Sequence, residues 1–198
     1  MNRLNPRLPL VFDTRELSRR PGAMIEMQRT VPAPNDLGDI DLIAIPPGQP
    51  IELDLRLESV MEGVLVTGSA HATATGACVR CLDPITRHVG GHFQELFAYA
   101  DRAAHHHEVA AEDDDDEAYE LVGDLFDLEP VLRDAMVPAM PFQPVCRSDC
   151  PGLCSECGMH LAEDPTHHHD QLDPRWAALQ NIATPQITSP PNNQEKRN

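Results

Sequence analysis

This chain carries a single lysine (Lys196), only 4% aromatic residues and no long apolar run. The last absence excludes a membrane-crossing helix, which needs about twenty consecutive apolar residues, so no membrane partner is expected. Scarce aromatics and 19 prolines leave a good part of the chain to loops and tails. Positive charge is also in short supply. With 15 Lys+Arg against 32 Asp+Glu the formal net charge is -17. So acidic a chain is repelled by phosphate backbones at long range, which excludes broad electrostatic binding to RNA. Catalytic signatures are missing too. There is no G-x-S-x-G elbow, P-loop or dinucleotide fingerprint, and the carboxylates come in runs where a solvated surface is the default. Neither an enzyme nor a small-molecule substrate is expected. The opening MNRLNPRLPLVF is broken by Arg3, Pro6, Arg7 and Pro9, so it lacks the apolar core of a signal peptide. A cytoplasmic protein is expected.

What the chain does have is cysteine and histidine in metal-ligand spacing. The groups are Cys78-x2-Cys81, Cys146-x3-Cys150, and Cys154-x2-Cys157 followed by His167-x-His169. Two thiolates held at a turn can grip a tetrahedral metal, and Gly158 directly after Cys157 suits the tight turn of such a knuckle. Without secretion, paired knuckles point to metal and not to disulfides. A Cys78/Cys81 redox pair is the alternative for the first group. That motif usually opens a helix in a βαβ unit, whereas here β-like segments flank it.

Eight ligands make two sets of four. The simplest partition has one local site of Cys154, Cys157, His167 and His169. A long-range site then joins Cys78 and Cys81 to Cys146 and Cys150. A competing partition gathers Cys146, Cys150, Cys154 and Cys157 locally, and His168 is an alternative to either neighbour. Zinc is the expected metal, about two ions, structural because four protein ligands leave no open position. Iron would also suit an all-thiolate set. The segment from Cys146 to Asp170 has few apolar residues beyond Leu153, Met159 and Leu161, so it needs such an ion to fold.

The remaining pattern predicts an α+β fold: an antiparallel β-meander packed with one amphipathic helix, plus the metal-stabilised cysteine-rich segment. Residues 9–12 and Met24 to Val31 suggest two strands, and a short one is expected near Leu42–Ile45 in the Pro/Gly-rich loop from Asn35 to Pro50. Ile51, Leu53, Leu55 and Leu57 alternate with Glu52, Asp54, Arg56 and Glu58. Met61-Glu62-Gly63 supplies a turn into a second arm, where Val64, Val66, Ala70, Ala72 and Ala74 keep the same period of two. A third strand from about Ile85 to Tyr99 places Val89, Phe93 and Phe97 on one face, so the first knuckle sits at a strand-to-strand turn. Leu128, Val131, Leu132, Ala135 and Met136 have helical spacing, with Asp127 as N-cap and Glu129-Pro130 in the first turn. A short capped helix is expected from Asp173 to Leu179.

The implied organisation is a mainly β part over 1–100 and an acidic linker over 101–123. The helix and zinc-binding part over 124–182 belong to the same domain, and a disordered tail covers 183–198. The three histidines within 101–123 are followed by four aspartates, with nothing nearby to rigidify a metal site. Residues 1–30 hold six arginines, whereas Asp101 to Asp134 hold thirteen acids against Arg102 and Arg133. A basic arm could touch nucleic acid and an acidic segment could meet a basic protein, although solvated loops explain each equally well.

Four ordered blocks resemble the YceD family, the large ribosomal RNA subunit accumulation proteins. Cys78-Val79-Arg80-Cys81-Leu82-Asp83-Pro84 is similar to its CxRCL-x-P signature, and Asp127-Leu128-Glu129-Pro130-Val131-Leu132-Arg133 to its helix start. The stretch from Cys146 to Gly158 resembles its second cysteine block, and Asp173-Pro174-Arg175-Trp176 its closing helix. Where many members end with Cys-x-Cys, this chain has His167-His168-His169. That version, with fourteen arginines and one lysine, fits an actinobacterial member. The resemblance implies a role in 23S rRNA synthesis, processing or stability, hence in large-subunit assembly, without implying catalysis. An acidic chain in that role is expected to act through a basic ribosomal protein or assembly factor, or through a small arginine patch for which Arg80 and Arg147 are the candidates. The alternative function is a thiol-based redox or metal sensor using Cys78 and Cys81.

Overall fold

The computed structural model describes residues 4–39, 42–100, 119–169 and 175. Eight strands and one helix occur among the described residues: β1 (Val11–Asp13), β2 (Met24–Pro32), β3 (Leu37–Asp39), β4 (Ile43–Ile45), β5 (Pro50–Ser59), β6 (Gly63–Ala77), β7 (Pro84–Ala98), β8 (Leu125–Asp127) and α1 (Glu129–Met136). This is mostly antiparallel sheet with one helix, in keeping with the α+β expectation. No helix among the described residues is long and apolar enough to cross a membrane.

The alternating run builds the centre. Ile51, Leu53, Leu55 and Leu57 are all buried in β5, where Leu53 lies opposite Ala70, Leu55 opposite Gly68 and Leu57 opposite Val66 in β6. Each such aliphatic side chain contributes about 1.5–3 kcal/mol on burial. The meander β5–β6–β7 is joined by β2 on the far side of β5. β6 is 15 residues long and changes partner along one edge, pairing with β5 first and with β4 near its end at Thr75 and Gly76. Along its other edge β7 pairs with it from Gly63↔Ala98 to Ala77↔Pro84. That register brings the β6–β7 turn, and so Cys78 and Cys81, to one end of the sheet.

β3 and β8 were not anticipated. β3 pairs with β4, and β1 pairs with β8 in a separate two-stranded sheet. The latter seals the core with aromatic contacts: Phe12 and Phe126 stack at 5.4 Å, and Phe126 meets Phe97 at 4.5 Å. The first strand thus falls at Val11–Asp13 instead of 9–12. Asp127, expected as N-cap, ends β8, and Leu128 occupies the cap position without a side-chain cap bond. The Asp127 carboxylate still accepts the Glu129 N–H at 2.9 Å. Of the acidic stretch 101–123, residues 119–123 are described, and there Leu121 is buried and Tyr119 packs on Phe97 at 5.5 Å. The histidine run, the Asp173–Leu179 helix apart from Arg175, and the tail lie outside the described residues.

α1 buries Val131, Leu132 and Met136 and packs mainly on β7. The close approach is made possible by small residues on the sheet: a Cβ placed on Gly91 would lie 2.6 Å from the Ala135 carbonyl oxygen. Gly91 has no positive φ, so its role is steric. Replacing Gly91 with Val is expected to lower stability by about 1–3 kcal/mol through overpacking, read as a shift in the urea midpoint with an unchanged slope.

Candidate metal centres

The two cysteine knuckles share one backbone pattern. In the first, Leu82 N–H donates to the Cys78 carbonyl at 2.9 Å and Cys78 N–H to the Asp83 carbonyl at 2.8 Å. In the second, Gly158 N–H donates to the Cys154 carbonyl at 2.9 Å and Cys154 N–H to the Met159 carbonyl at 2.8 Å. The residue after the second cysteine has positive φ in both, 63° at Leu82 and 75° at Gly158. Glycine adopts that conformation freely, and a branched side chain such as leucine does so at a cost of about 1–2 kcal/mol.

The chain then folds the C-terminal segment onto the first knuckle. Val79 N–H donates to the Pro144 carbonyl at 2.9 Å, and Leu153 N–H to the Arg80 carbonyl at 3.1 Å. Arg80 returns the contact, its Nη1 donating to the carbonyls of Ser148 (3.2 Å) and Cys150 (3.0 Å). Arg87 on β7 donates to the Val145 carbonyl, and at Gly152, where φ is +81°, a Cβ would be strained and would sit tightly, 3.0 Å from the Arg80 carbonyl oxygen.

This folding brings Cys78, Cys81, Cys146 and Cys150 together, with their sulfurs all within 4.8 Å of one another. The Sγ atoms of Cys78 and Cys150 lie 3.9 Å apart, those of Cys81 and Cys146 3.7 Å. A tetrahedron with metal–sulfur bonds of about 2.3 Å has an edge of about 3.8 Å, whereas a disulfide needs about 2.05 Å. The spacing fits a four-thiolate metal site, and all six cysteines are free thiols. Cys154, Cys157, His167 and His169 form the second group, also within 4.8 Å. The two histidine Nε2 atoms are 2.8 Å apart and lie 3.2 and 3.3 Å from Cys157 Sγ, slightly inside the edges a zinc tetrahedron of about 3.3–3.5 Å would have. His168 turns aside, its Nδ1 3.0 Å from the Thr166 carbonyl. The grouping follows the simplest partition read from the spacing and not the all-local cysteine set.

Burial separates the two groups. Cys78 is 0% exposed and Cys81 and Cys150 5% each, whereas Cys157 and His169 are exposed. Burial pushes the Cys78 thiol up, but the N–H groups of Cys81, Cys146 and Arg80 outweigh it and lower it to about 6. The Asp83 N–H favours the Cys81 thiolate, yet burial, the Asp83 carboxylate and the neighbouring thiols together raise that group well above its ordinary value. The nearby Cys150 thiol raises Cys146. In the second group the Cys157 N–H, and then that of Glu156, lowers Cys154. Asp83 also links the two knuckles, accepting from the Cys81 thiol at 3.2 Å and facing His160 Nδ1 at 3.9 Å.

Of the two arginines singled out in the sequence, Arg80 is engaged inside the fold as described, and Arg147 is half exposed beside Asp149 at 3.3 Å. The sequence reading overlooked Arg87. Its signal was an arginine on the β7 face that otherwise carries Ile85, Val89 and Phe97.

Two outcomes are expected. Leu82→Gly relieves the left-handed strain at a side chain that is 64% exposed, so it should stabilise the protein by about 1 kcal/mol, measured by chemical denaturation. In timed alkylation followed by peptide mass mapping, Cys157 should label first and Cys78 last, because a thiolate reacts only when reagent can reach it.

The family model described as large ribosomal RNA subunit accumulation protein YceD matches residues 66–183. The chain is similar to an uncharacterized protein of Mycobacterium tuberculosis (strain H37Rv), with 47% identity over 178 residues, covering 90% of this chain and 83% of that one. It is also similar to an uncharacterized protein of Mycobacterium leprae, with 44% identity over 179 residues, covering 90% and 80% respectively. No solved structure gives a significant match. The mycobacterial relatives agree with the actinobacterial origin suggested by the histidine run and arginine bias. The matched region takes in both knuckles, α1 and more than half of the chain, which therefore belongs to the YceD family.

Proposed function

We propose that this chain is a noncatalytic, zinc-stabilised factor that supports 23S rRNA synthesis, processing or stability and assembly of the large ribosomal subunit in the cytoplasm. The family description supplies the process. The observation that carries the zinc reading is the meeting of Cys78 and Cys81 with Cys146 and Cys150 at tetrahedral spacing. Those four residues would hold one zinc ion, and Cys154, Cys157, His167 and His169 a second. With four protein ligands in each group no position is left for water or substrate, so the ions brace the fold and do no chemistry. Zinc binding of this kind is worth on the order of 10 kcal/mol, enough to order a segment that has little apolar surface of its own.

The partner is a basic ribosomal protein or assembly factor, since an overall charge of -17 disfavours direct binding to rRNA over any large area. Arg147 remains a contact candidate, whereas Arg80 serves the fold first. One observation favours the redox-sensor alternative: the Cys78 thiol is lowered to about 6. Its complete burial weighs against it.

Purified protein should contain about two zinc ions per chain by elemental analysis, and Cys81→Ser about one, with loss of cooperative unfolding. Depleting the protein should lower the 23S to 16S rRNA ratio and the large-subunit peak in a ribosome gradient, and Cys81→Ser should not rescue it. An unchanged ratio would sink the assembly role. A Cys78–Cys81 disulfide forming rapidly in the zinc-loaded protein would favour the sensor.

A further inference from the structure

β5, β6 and β7 turn one face to the core, and among the described residues no element covers the other. The open face carries Glu52 and Asp54 on β5, Ser69 and His71 on β6, and His88 and His92 on β7. The strand register aligns these groups in rows. Asp54 is opposite Ser69, which is opposite His92, and Glu52 is opposite His71, which is opposite Gly90. Carboxylates therefore stand on β5 and imidazoles on β6 and β7, with Ser69 between Asp54 and His92.

The glycine matters here. A Cβ on Gly90 would lie 2.6 Å from His71 Nδ1, so the His71 ring lies across the strand over the glycine and stands edge-on to His92, with ring centroids 6.4 Å apart. Two adjoining hollows follow, of about 600 Å3 around Asp54, Ser69 and His92 and about 490 Å3 around Glu52, His71 and His88. Arg56, the arginine on this part of the sheet, is already paired with Glu58 at 2.8 Å. Among the described residues neither Glu52 nor Asp54 forms an ion pair with an arginine.

We propose that this open face docks an arginine-bearing extended segment of a basic protein. A guanidinium is planar, stacks on aromatic faces and donates two parallel hydrogen bonds to a carboxylate, which matches His71 opposite Glu52 and His92 one strand beyond Ser69 from Asp54. Lysine has neither property, and RNA phosphate is repelled by the carboxylates. The proposal rests on the assembly reading only for the identity of the partner, a ribosomal protein.

The test uses the full zinc-loaded chain, amide NMR shifts, and a peptide in which arginine alternates with serine. Shifts are expected to cluster on β5, β6 and β7 around Glu52, Asp54, His71 and His92. The double variant Glu52→Arg, Asp54→Arg should weaken binding at least about tenfold while keeping its zinc, as should replacement of the peptide arginines by lysine. Shifts spread over the acidic run 112–117, equal binding by the lysine peptide, or equal binding by the double variant would each overturn the proposal. So would a single-stranded RNA oligonucleotide that takes the same residues. Peptide binding that meets these criteria, in a protein whose depletion leaves 23S rRNA unchanged, supports the docking face and removes only the ribosomal identity of its partner.

Discussion

The structure depends on closing the β6–β7 turn against the segment that begins near Pro144. That segment carries little apolar surface beyond Val145, Cys146 and Cys150 at the edge of the core, and polar groups set its alignment. Main-chain hydrogen bonds from Val79 and Leu153, and guanidinium contacts from Arg80 and Arg87, align the two pieces. Four sulfurs then converge within them. Hydrogen bonds of this type contribute about 1 kcal/mol each, so alignment alone is modest in energy. What it achieves is register: it sets which sulfurs face one another before any ion adds its much larger contribution.

The two knuckles reuse one backbone solution in different surroundings. The first sits on the end of a long strand pair, in the core, with three of its four thiols at most 5% exposed. The second hangs from the first through Leu153 and Asp83 and is open to solvent at Cys157 and His169. Equal chemistry at the cysteines therefore does not mean equal accessibility. The strained Leu82, where the second knuckle has Gly158, marks a further difference. Nothing in the described contacts accounts for a leucine there.

Much of the architecture was legible because its signals are local. The Ile51–Leu57 alternation, the turn at Met61–Gly63 and the helical spacing from Leu128 to Met136 each act over a few residues, and each formed the element expected. Ligand spacing marked the ligand pairs for the same reason, since knuckle geometry is built into neighbouring residues, whereas the meeting of Cys78 and Cys81 with Cys146 and Cys150 spans more than sixty residues. What escaped was long-range. β8 is three residues long and exists through its pairing with β1 across the chain, so no periodicity could announce it. Arg87 was visible as a charge on an apolar face, but its acceptor, the Val145 carbonyl, lies 58 residues away. The cap at α1 moved by one residue because β8 claimed Asp127 as its last member.

The acidic stretch between β7 and β8 leaves and rejoins the sheet at almost the same point. Ala98 N–H donates to the Tyr119 carbonyl at 2.8 Å, and Leu121 N–H to the Ala98 carbonyl at 2.9 Å. A connection whose two ends are fastened side by side is, in polymer terms, a closed ring. Its closure entropy grows only with the logarithm of its length, about 0.6 kcal/mol for each doubling. Evolution can therefore lengthen, shorten or recharge this ring at almost no thermodynamic cost, while the register of strands and sulfurs on either side of it stays the same.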